Sequence, residues 1–161
     1  MKNKNIGRMN WKILFFSFVI VFGVALIGSW FTNGNTDGEW YQSIKPSITP
    51  PNYVFPIVWN ILFVMISISL YLVWIKSNNK NKKKVAWVFG VNLFLNALWS
   101  FLFFYLKNPV ASFFEIIALW LSILLMIKAS WKIDRRASYL LVPYLIWVSF
   151  ASYLNWLIAF G

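Results

Sequence analysis

Histidine and cysteine are both absent from this 161-residue sequence. Their absence excludes disulfides, thiol nucleophiles, the usual zinc ligands and acid–base catalysis by imidazole. Acidic residues are scarce as well, because only four Asp and Glu stand against fifteen Lys and Arg, which gives a net charge of +11. We therefore expect no metal site and no required cofactor.

Charged residues make up only 12% of the chain and hydrophobic residues make up 60%, whereas an average soluble domain is about 25% charged. Five segments are long enough to cross a hydrocarbon core about 30 Å thick. They lie at about 13–31, 53–75, 85–106, 110–127 and 139–160. We predict an all-α membrane protein, a five-transmembrane-helix bundle that forms one domain over residues 1–161.

Connections that are rich in basic residues alternate along the chain with connections that have few. The segments before the first span, between the second and third, and between the fourth and fifth are rich in Lys and Arg; the first contains Lys2, Lys4, Arg8 and Lys12. Cytoplasmic loops carry such an excess. The pattern predicts a cytoplasmic N-terminus and an outside C-terminus, in a multi-pass protein of the bacterial cell membrane. The first span is too long for a signal peptide, so we expect it to be retained.

A net charge of +11 could also indicate nucleic-acid binding, because basic surfaces neutralise phosphates. Here the basic residues lie in short turns beside the spans, such as the polar link 78–84. Attraction to anionic lipid headgroups explains them better, and we expect no nucleic-acid partner.

One connection is long, the outer segment 32–52, which we call the lid. It contains aromatic, basic and proline residues, among them Trp40, Tyr41, Lys45, Pro46, Pro50 and Pro51. Proline fixes φ and disfavours helix at the preceding residue, so 45–51 should be extended. Two interpretations are open: the aromatic residues anchor at the membrane interface, or the segment folds over the outer end of the bundle.

Eleven tryptophans are present, and membrane interfaces explain about half of them. Interfacial positions suit Trp11, Trp30, Trp74, Trp87, Trp131 and Trp156. Four others fall deep within the outer half of the spans, namely Trp59, Trp99, Trp120 and Trp147. These four require a different explanation.

Polar residues within the spans also concentrate in the outer half. Helical spacing predicts three faces: Phe55 and Trp59 on the second span; Asn92, Asn96, Trp99 and Phe103, with Ser100 beside them, on the third; and Tyr144, Trp147, Ala151 and Asn155 on the fifth. Glu115 is the only acidic residue within a span. Because a pore would need polar groups through its full depth, we expect a blind pocket that opens outward. The alternative is that the Asn and Ser side chains only join helices.

A pocket of indole rings, phenyl rings and a few amides suits a large, flat, mostly apolar ligand. A cyclic tetrapyrrole fits, with its propionates near Lys45 and Lys107. Without His or Cys, iron could be held axially only by Tyr or Met, so a haem electron carrier is disfavoured.

Three segments of the sequence resemble a known family. They are Trp40-Tyr41 with Lys45-Pro46 and Pro50-Pro51 running on to Phe55 and Trp59, then Leu95-Asn96-Ala97-Leu98-Trp99-Ser100 with Phe103-Phe104, and finally Pro143-Tyr144-Leu145 with Trp147, Phe150-Ala151 and Leu154-Asn155. The combination is similar to the tryptophan-rich sensory protein and translocator protein family, also called the peripheral-type benzodiazepine receptors.

The resemblance implies a five-helix homodimer whose outer pocket binds porphyrins or haem, and also drug-like aromatic ligands of the isoquinoline carboxamide and benzodiazepine classes. It implies that Trp59, Asn96, Trp99, Tyr144, Trp147, Ala151 and Asn155 line the pocket; Phe55 and Ser100 share their faces. Trp40, Pro50 and Pro51 would form the lid. It also implies light-dependent porphyrin breakdown, for which Trp59 and Trp147 are the candidate photochemical residues.

Two other functions are open at this level: a transporter, or a stress-sensing regulator, of porphyrins or other amphipathic solutes. The sequence has no internal repeat that would indicate an inverted-repeat transporter. Animal members of the family complete a cholesterol-recognition motif after the fifth helix, whereas this chain ends in apolar residues up to Gly161. We therefore do not expect a steroid-transport role.

Overall fold

The computed structural model describes residues 9–161, all as helices and their connections. The helices are α1 (Trp11–Thr32), α2 (Glu39–Ile44), α3 (Val54–Lys76), α4 (Asn79–Ser100), α5 (Pro109–Trp131) and α6 (Arg135–Phe160), with a π-helical turn (Phe101–Tyr105) continuing α4. Five segments are long and apolar enough to cross a membrane: 11–32, 54–76, 79–105, 109–131 and 135–160. The predicted all-α, five-span fold is confirmed. Lys2, Lys4 and Arg8, used above for orientation, lie outside the described residues.

Four of the spanning helices begin at an Asn or Asp side chain that accepts a hydrogen bond from the backbone of the first turn. These caps are Asn10 for α1, Asn78 for α4, Asn108 for α5 and Asp134 for α6. Such caps satisfy amides that the helix itself cannot pair. The prediction that residues 78–84 form a turn is wrong, because α4 already begins at Asn79, directly after the cap at Asn78. The lysines that follow are good helix formers.

Proline positions agree with the expected helix starts. Pro109 opens α5 and Pro56 lies in the first turn of α3, where a missing N–H costs little. Pro143 lies inside α6, which continues through it. The lid contains the short helix α2, which the proline pattern did not indicate.

The bundle core lies between α3, α4, α5 and α6. Side chains such as Ile66, Phe89, Leu119 and Val148 are almost completely buried there. Helix α1 packs at the edge, because its buried positions are few. At one of them, Gly28, an added Cβ would lie 3.4 Å from Ser100 Oγ. The missing side chain lets α1 approach α4 in the half of the bundle that is closer to the lid.

At the end of the bundle where α1 begins, Asp134 joins α3 to α6. Its carboxylate lies 2.8 Å from Lys76 Nζ and 3.2 Å from the guanidinium of Arg136. Burial opposes the charge on Asp134, but the hydrogen bonds from Arg136 and Lys76 outweigh it and lower the pKa to about 2. Nearby, Ser69 Oγ donates to Ala137 O at 3.0 Å. These polar contacts close this end.

Because the folded-state pKa of Asp134 lies below its ordinary value of 3.8, its stabilising effect should be complete at neutral pH and lost as the pH falls from about 4 to about 2. The lost stability should be about 2 kcal/mol. Thermal unfolding in micelles from pH 7 to pH 2.5 should therefore show a steeper acid loss for the wild type than for Asp134→Asn. Glu39→Gln, which changes an exposed lid carboxylate, is the control. Equal acid slopes for wild type and Asp134→Asn would contradict this assignment.

The orientation of the bundle in the membrane stays a prediction, and the cysteine-free sequence makes it simple to test. Ser43→Cys places a thiol in the lid and Asn79→Cys places one at the opposite end, both at exposed positions. In intact cells, a membrane-impermeant maleimide should label Ser43→Cys at once and Asn79→Cys only after permeabilisation. The reverse order would mean that the N-terminus is outside.

Candidate ligand pocket

A cavity of about 570 Å³ lies in the bundle beneath the lid, within the range of 300–1,000 Å³ that is typical of small-molecule sites. Its walls come from α1, α3, α4, α5 and α6, and beyond α1 the lid contributes Asn33, Thr36, Tyr41 and Asn52. Its deep end stops at core residues such as Phe63, Ile116 and Leu119. The cavity therefore occupies the lid-side part of the bundle.

Most of the predicted site residues face this cavity. Those that line it are Phe55, Trp59, Asn96, Trp99, Ser100, Trp147, Ala151 and Asn155. Four others do not: Trp40, Pro50 and Pro51 lie in the lid away from the cavity surface, and Tyr144 is fully buried behind the wall. Trp120, one of the deep tryptophans, also lies elsewhere, with its Nε1 2.8 Å from Ser149 Oγ.

Aromatic rings form two opposite sides of the cavity. On one side Trp59 stacks on Phe63, with ring centroids 5.4 Å apart, and Phe55 meets the edge of Trp147 at 5.7 Å. On the other side Trp99 stacks on Phe103 at 4.9 Å. Aromatic faces at these distances attract one another and offer flat apolar surfaces to a planar ligand.

A buried hydrogen-bond network supports the wall between α4, α5 and α6. Asn96 Nδ2 donates to the Tyr144 hydroxyl at 3.1 Å, and that hydroxyl donates to Asn92 Oδ1 at 3.3 Å. Asn92 Nδ2 in turn donates to Ser122 Oγ at 2.8 Å. Tyr144 thus touches the cavity only through its neighbours, Asn96 and the Trp59 ring, whose centroid is 6.1 Å away. Tyr144 therefore supports the wall of the cavity but does not line it, contrary to the prediction.

Asn155 fixes a second part of the wall. Its Oδ1 accepts from Trp99 Nε1 at 2.9 Å, and its Nδ2 donates to the backbone oxygen of Pro109 at 2.8 Å. The Asn155 amide therefore links α4, the start of α5 and α6. It also holds the Trp99 ring in one orientation at the edge of the cavity.

The lid is attached to the bundle through the π-helical turn. Tyr41 packs against Phe103 and Phe104, and Trp40 meets Phe103 at a centroid distance of 5.7 Å. Lys107 Nζ lies 5.9 Å from the Trp40 ring, a cation–π distance. Burial raises the pKa of Tyr41. The lid therefore folds over one end of the bundle, as the second of the two interpretations given above predicts.

Sequence reasoning missed Tyr41 and Asn52 as cavity residues. Asn52 Nδ2 donates to Asp37 Oδ1 at 2.7 Å and to Thr36 O at 3.3 Å, which closes the lid on itself. The aromatic pair Trp40-Tyr41 indicated that this part of the lid packs against the bundle. Which of the two rings turns inward depends on the short helix α2, which the sequence did not indicate. The π-helical turn had no recognisable sequence signal, although such turns are frequent at functional sites.

The cavity also opens sideways between α1 and α3. Leu26 and Ser29 on α1 and Pro56 and Asn60 on α3 line it and are nevertheless exposed on the surface of the bundle. The amide of Asn60 is turned to its own helix, where it donates to Pro56 O at 2.8 Å. A ligand in the cavity would therefore reach the membrane through this side.

Glu115 lies on the buried face of α5 outside the cavity lining. Both of its carboxylate oxygens are buried without a hydrogen-bond partner among the described residues. Within residues 9–161, no group of three or more potential metal-ligating side chains of His, Cys, Asp or Glu occurs. Of the residues that line the cavity, only Tyr41 has a side chain of the kind that can ligate haem iron.

Comparison with known proteins shows what the chain is related to. The TspO/MBR family matches residues 11–160. The chain belongs to this family. It is 42% identical to the tryptophan-rich protein TspO of Chlorobaculum tepidum over 155 residues, which cover 93% of this chain and 97% of the relative. It is 40% identical to the protein of the same name from Archaeoglobus fulgidus over 151 residues, with the same coverage, and 34% identical to protein CrtK of Rhodobacter capsulatus over 120 residues, covering 73% and 75%.

These relatives agree with the resemblance noted in the sequence and extend it over nearly the whole chain. With the five apolar helices, membership in the TspO/MBR family makes the chain a multi-pass membrane protein. The expected location in a cell membrane is confirmed.

The hydrogen bond between Trp99 and Asn155 can be measured by a double-mutant cycle of Trp99→Phe and Asn155→Leu. Each single change should lower the thermal midpoint in micelles, because each removes the hydrogen bond between Trp99 and Asn155. Asn155→Leu should lower it further, since it also leaves Pro109 O unpaired. The interaction energy should be about 0.6–1.7 kcal/mol, the range for polar pairs between membrane helices. Strict additivity of the two changes would contradict the contact.

Proposed function

We propose that this TspO/MBR-family protein binds cyclic tetrapyrroles in the cavity beneath its lid. The observation that carries the proposal is the arrangement of Trp59, Trp99 and Trp147, with Phe55 and Phe103, around one cavity of about 570 Å³. Flat, polarisable rings on opposite sides favour a flat aromatic ligand over a globular one. The few polar lining groups can orient such a ligand but cannot neutralise a charged one.

The charges of a porphyrin would need a position outside the apolar interior. Lys45 and Lys107 are both exposed near the lid, and Lys107 is held close to it by its contact with Trp40. We propose that propionate groups point toward this end, where water and cationic side chains lower the cost of their charge. The deep end, which is apolar except for Asn96, would receive the opposite edge of the ring.

Metal-free porphyrin suits the cavity better than haem. Tyr41 is the one lining residue with a group able to ligate iron, and its ring packs against Phe103 and Phe104. Ligation would have to break that packing. Aromatic ligands of the isoquinoline carboxamide and benzodiazepine classes would use the same stacking surfaces.

Light-dependent breakdown of the bound porphyrin is the second part of the proposal. A photoexcited porphyrin can take one electron from an adjacent indole, and molecular oxygen can then take that electron to become superoxide. The indole radical recovers an electron from the porphyrin, which is left as a radical cation that superoxide attacks. Trp59 and Trp147 both line the cavity, where their rings can lie against a bound porphyrin, and we propose them as the electron donors.

A transporter would need a path through the inner half as well. Core residues such as Ile66, Ile123, Met126 and Leu141 are essentially fully buried there, and the contacts of Asp134 close that end. We therefore prefer binding and degradation over transport. The expected homodimer stays a prediction, as does a role as a stress-sensing regulator.

Substitution of two cavity tryptophans tests both parts of the proposal. Trp59→Phe with Trp147→Phe reduces the stacking surface on one side of the cavity at two positions, so the affinity for protoporphyrin should fall about tenfold, given about 0.5–1.5 kcal/mol per aromatic contact. Bleaching of porphyrin absorbance under illumination should be abolished, because phenylalanine is a far poorer electron donor than indole. Binding is measured from porphyrin absorbance, since tryptophan fluorescence changes with the mutations themselves.

The matched control replaces two lipid-facing tryptophans, Trp87→Phe with Trp131→Phe, at exposed positions outside the cavity. This control should bind and bleach porphyrin like the wild type. Unchanged affinity in the cavity variant would contradict the site, and unchanged bleaching with weakened binding would contradict only the photochemical role of these residues.

A further inference from the structure

A second concave surface lies on the membrane-facing side of the bundle, between α3 and α6. This groove encloses about 470 Å³ and no polar side chain other than one indole lines it. Its other walls are aliphatic, thioether, proline or phenyl groups, including Val58, Ile61, Met65, Pro143, Ile146 and Phe150. It is separate from the tetrapyrrole cavity and accounts for none of that cavity's proposed binding.

Trp147 forms a wall of both the groove and the cavity. No other residue is shared between the two linings. The ring therefore separates a ligand in the bundle from whatever occupies the groove outside it. Any rotation of this side chain changes the shape of both spaces at once.

The Trp147 ring is held by packing alone. Its Nε1 is buried without a hydrogen-bond partner among the described residues, whereas Trp99 Nε1 is bound to Asn155 and Trp120 Nε1 to Ser149. An unpaired buried donor is costly, and a rotation of Trp147 breaks no hydrogen bond. Its aromatic contacts are with Phe55 at 5.7 Å and Phe150 at 5.8 Å. The orientation of Trp147 thus depends on what fills the space on either side.

The position of the groove identifies its occupant. Ile61 and Ile146 on its edges are 56% and 65% exposed, and each lies at least seven residues, about 10 Å, from the ends of its helix. At that depth the surroundings are hydrocarbon rather than water or headgroups. Helices associate in membranes mainly through small residues such as Gly, Ala, Ser and Thr, which allow close approach, and through hydrogen bonds between side chains. The lining of the groove contains none of these small residues, so a flexible hydrocarbon chain is the complementary occupant.

We propose that the groove between α3 and α6 binds an acyl chain of a membrane lipid, and that Trp147 couples this binding to the ligand cavity. A chain in the groove supports Trp147 from outside and keeps it in place as a wall of the cavity. A wall fixed beforehand loses less entropy when the ligand binds. Lipid occupancy should therefore tighten ligand binding, and by linkage the ligand should tighten the lipid. The coupling, though not the lipid site, rests on the proposed tetrapyrrole function.

The lipid site is tested without any cavity ligand, in bilayers whose acyl chains carry bromine near their middle. Bromine quenches tryptophan fluorescence on contact. The difference in quenching between the wild type and Trp147→Phe is therefore the contribution of Trp147, and it reports whether an acyl chain occupies the groove. This component should be substantial in the wild type and should fall at least threefold in Ile61→Phe with Ile146→Phe, which narrows the groove from both edges.

Ile117→Phe with Leu121→Phe is the matched control, because both residues are exposed on α5 away from the groove. It should keep the full Trp147 component. Equal quenching of wild type and Trp147→Phe would overturn the lipid site. A Trp147 component that is unchanged in the narrowed variant would also overturn it. A third contrary outcome is that the Trp147 component is absent and cross-linking shows a second copy of the chain covering the groove.

The coupling is tested by protoporphyrin titration of the same two variants in bilayers. An acyl chain supports Trp147 only while it occupies the groove, whereas side chains that fill the groove should support Trp147 permanently. The narrowed variant should therefore bind protoporphyrin about fivefold more tightly than the α5 control, at the lower end of typical coupling factors. Equal affinities, or weaker binding, would overturn the coupling while leaving the bromine result valid. If neither the wild type nor any variant binds porphyrin, the proposed function and the coupling fail, and the bromine experiment alone decides the lipid site.

Discussion

Hydrogen-bonding groups inside hydrocarbon have no water to pair with, and this constraint determines most of the structure. It forces the backbone of each span into a helix and places the polar side chains of the spans where other protein groups can reach them. Asn92, Asn96, Tyr144 and Asn155 meet this demand by bonding to one another, to Ser122, to Trp99 and to the backbone of Pro109. The network that results joins α4, α5 and α6 and defines one wall of the cavity.

The same constraint limits what the cavity can recognise. The amides expected to contact a ligand are largely occupied: both polar atoms of Asn155 are bonded within the protein, and Asn96 donates to Tyr144. The two interpretations of these residues, helix joining and ligand binding, are therefore not exclusive. By joining helices the amide of Asn155 holds Trp99 at a fixed position, and under the proposed function the exposed aromatic faces would provide most of the contact with a ligand. Such a site selects by shape and flatness more than by specific hydrogen bonds.

Features with a strong physical signal in the sequence were predictable. The five spans follow from hydropathy, and the faces that carry Trp59, Asn96, Trp99 and Trp147 follow from helical spacing. The sequence could not show that Tyr144 lies behind the cavity wall. Helical spacing correctly places it on the same face as Trp147 and Asn155, but the packing of three helices determines whether its side chain reaches the cavity. It also could not show that Tyr41 turns inward, since that depends on α2 and on the π-helical turn, whose extra residue changes the direction of Phe103 and Phe104.

Trp147 departs from the pairing rule, because its buried indole N–H has no partner among the described residues, and this departure has a physical meaning. A buried indole N–H without a partner destabilises the arrangement that contains it, so this arrangement persists only because the surrounding rings and helices hold it. Trp99 and Trp120, fixed by hydrogen bonds, form rigid parts of the bundle. Trp147 lies between a cavity and the lipid and has only packing to hold it. Among the cavity tryptophans it is the one that also lines the membrane-facing groove, so its position can respond to what fills that groove.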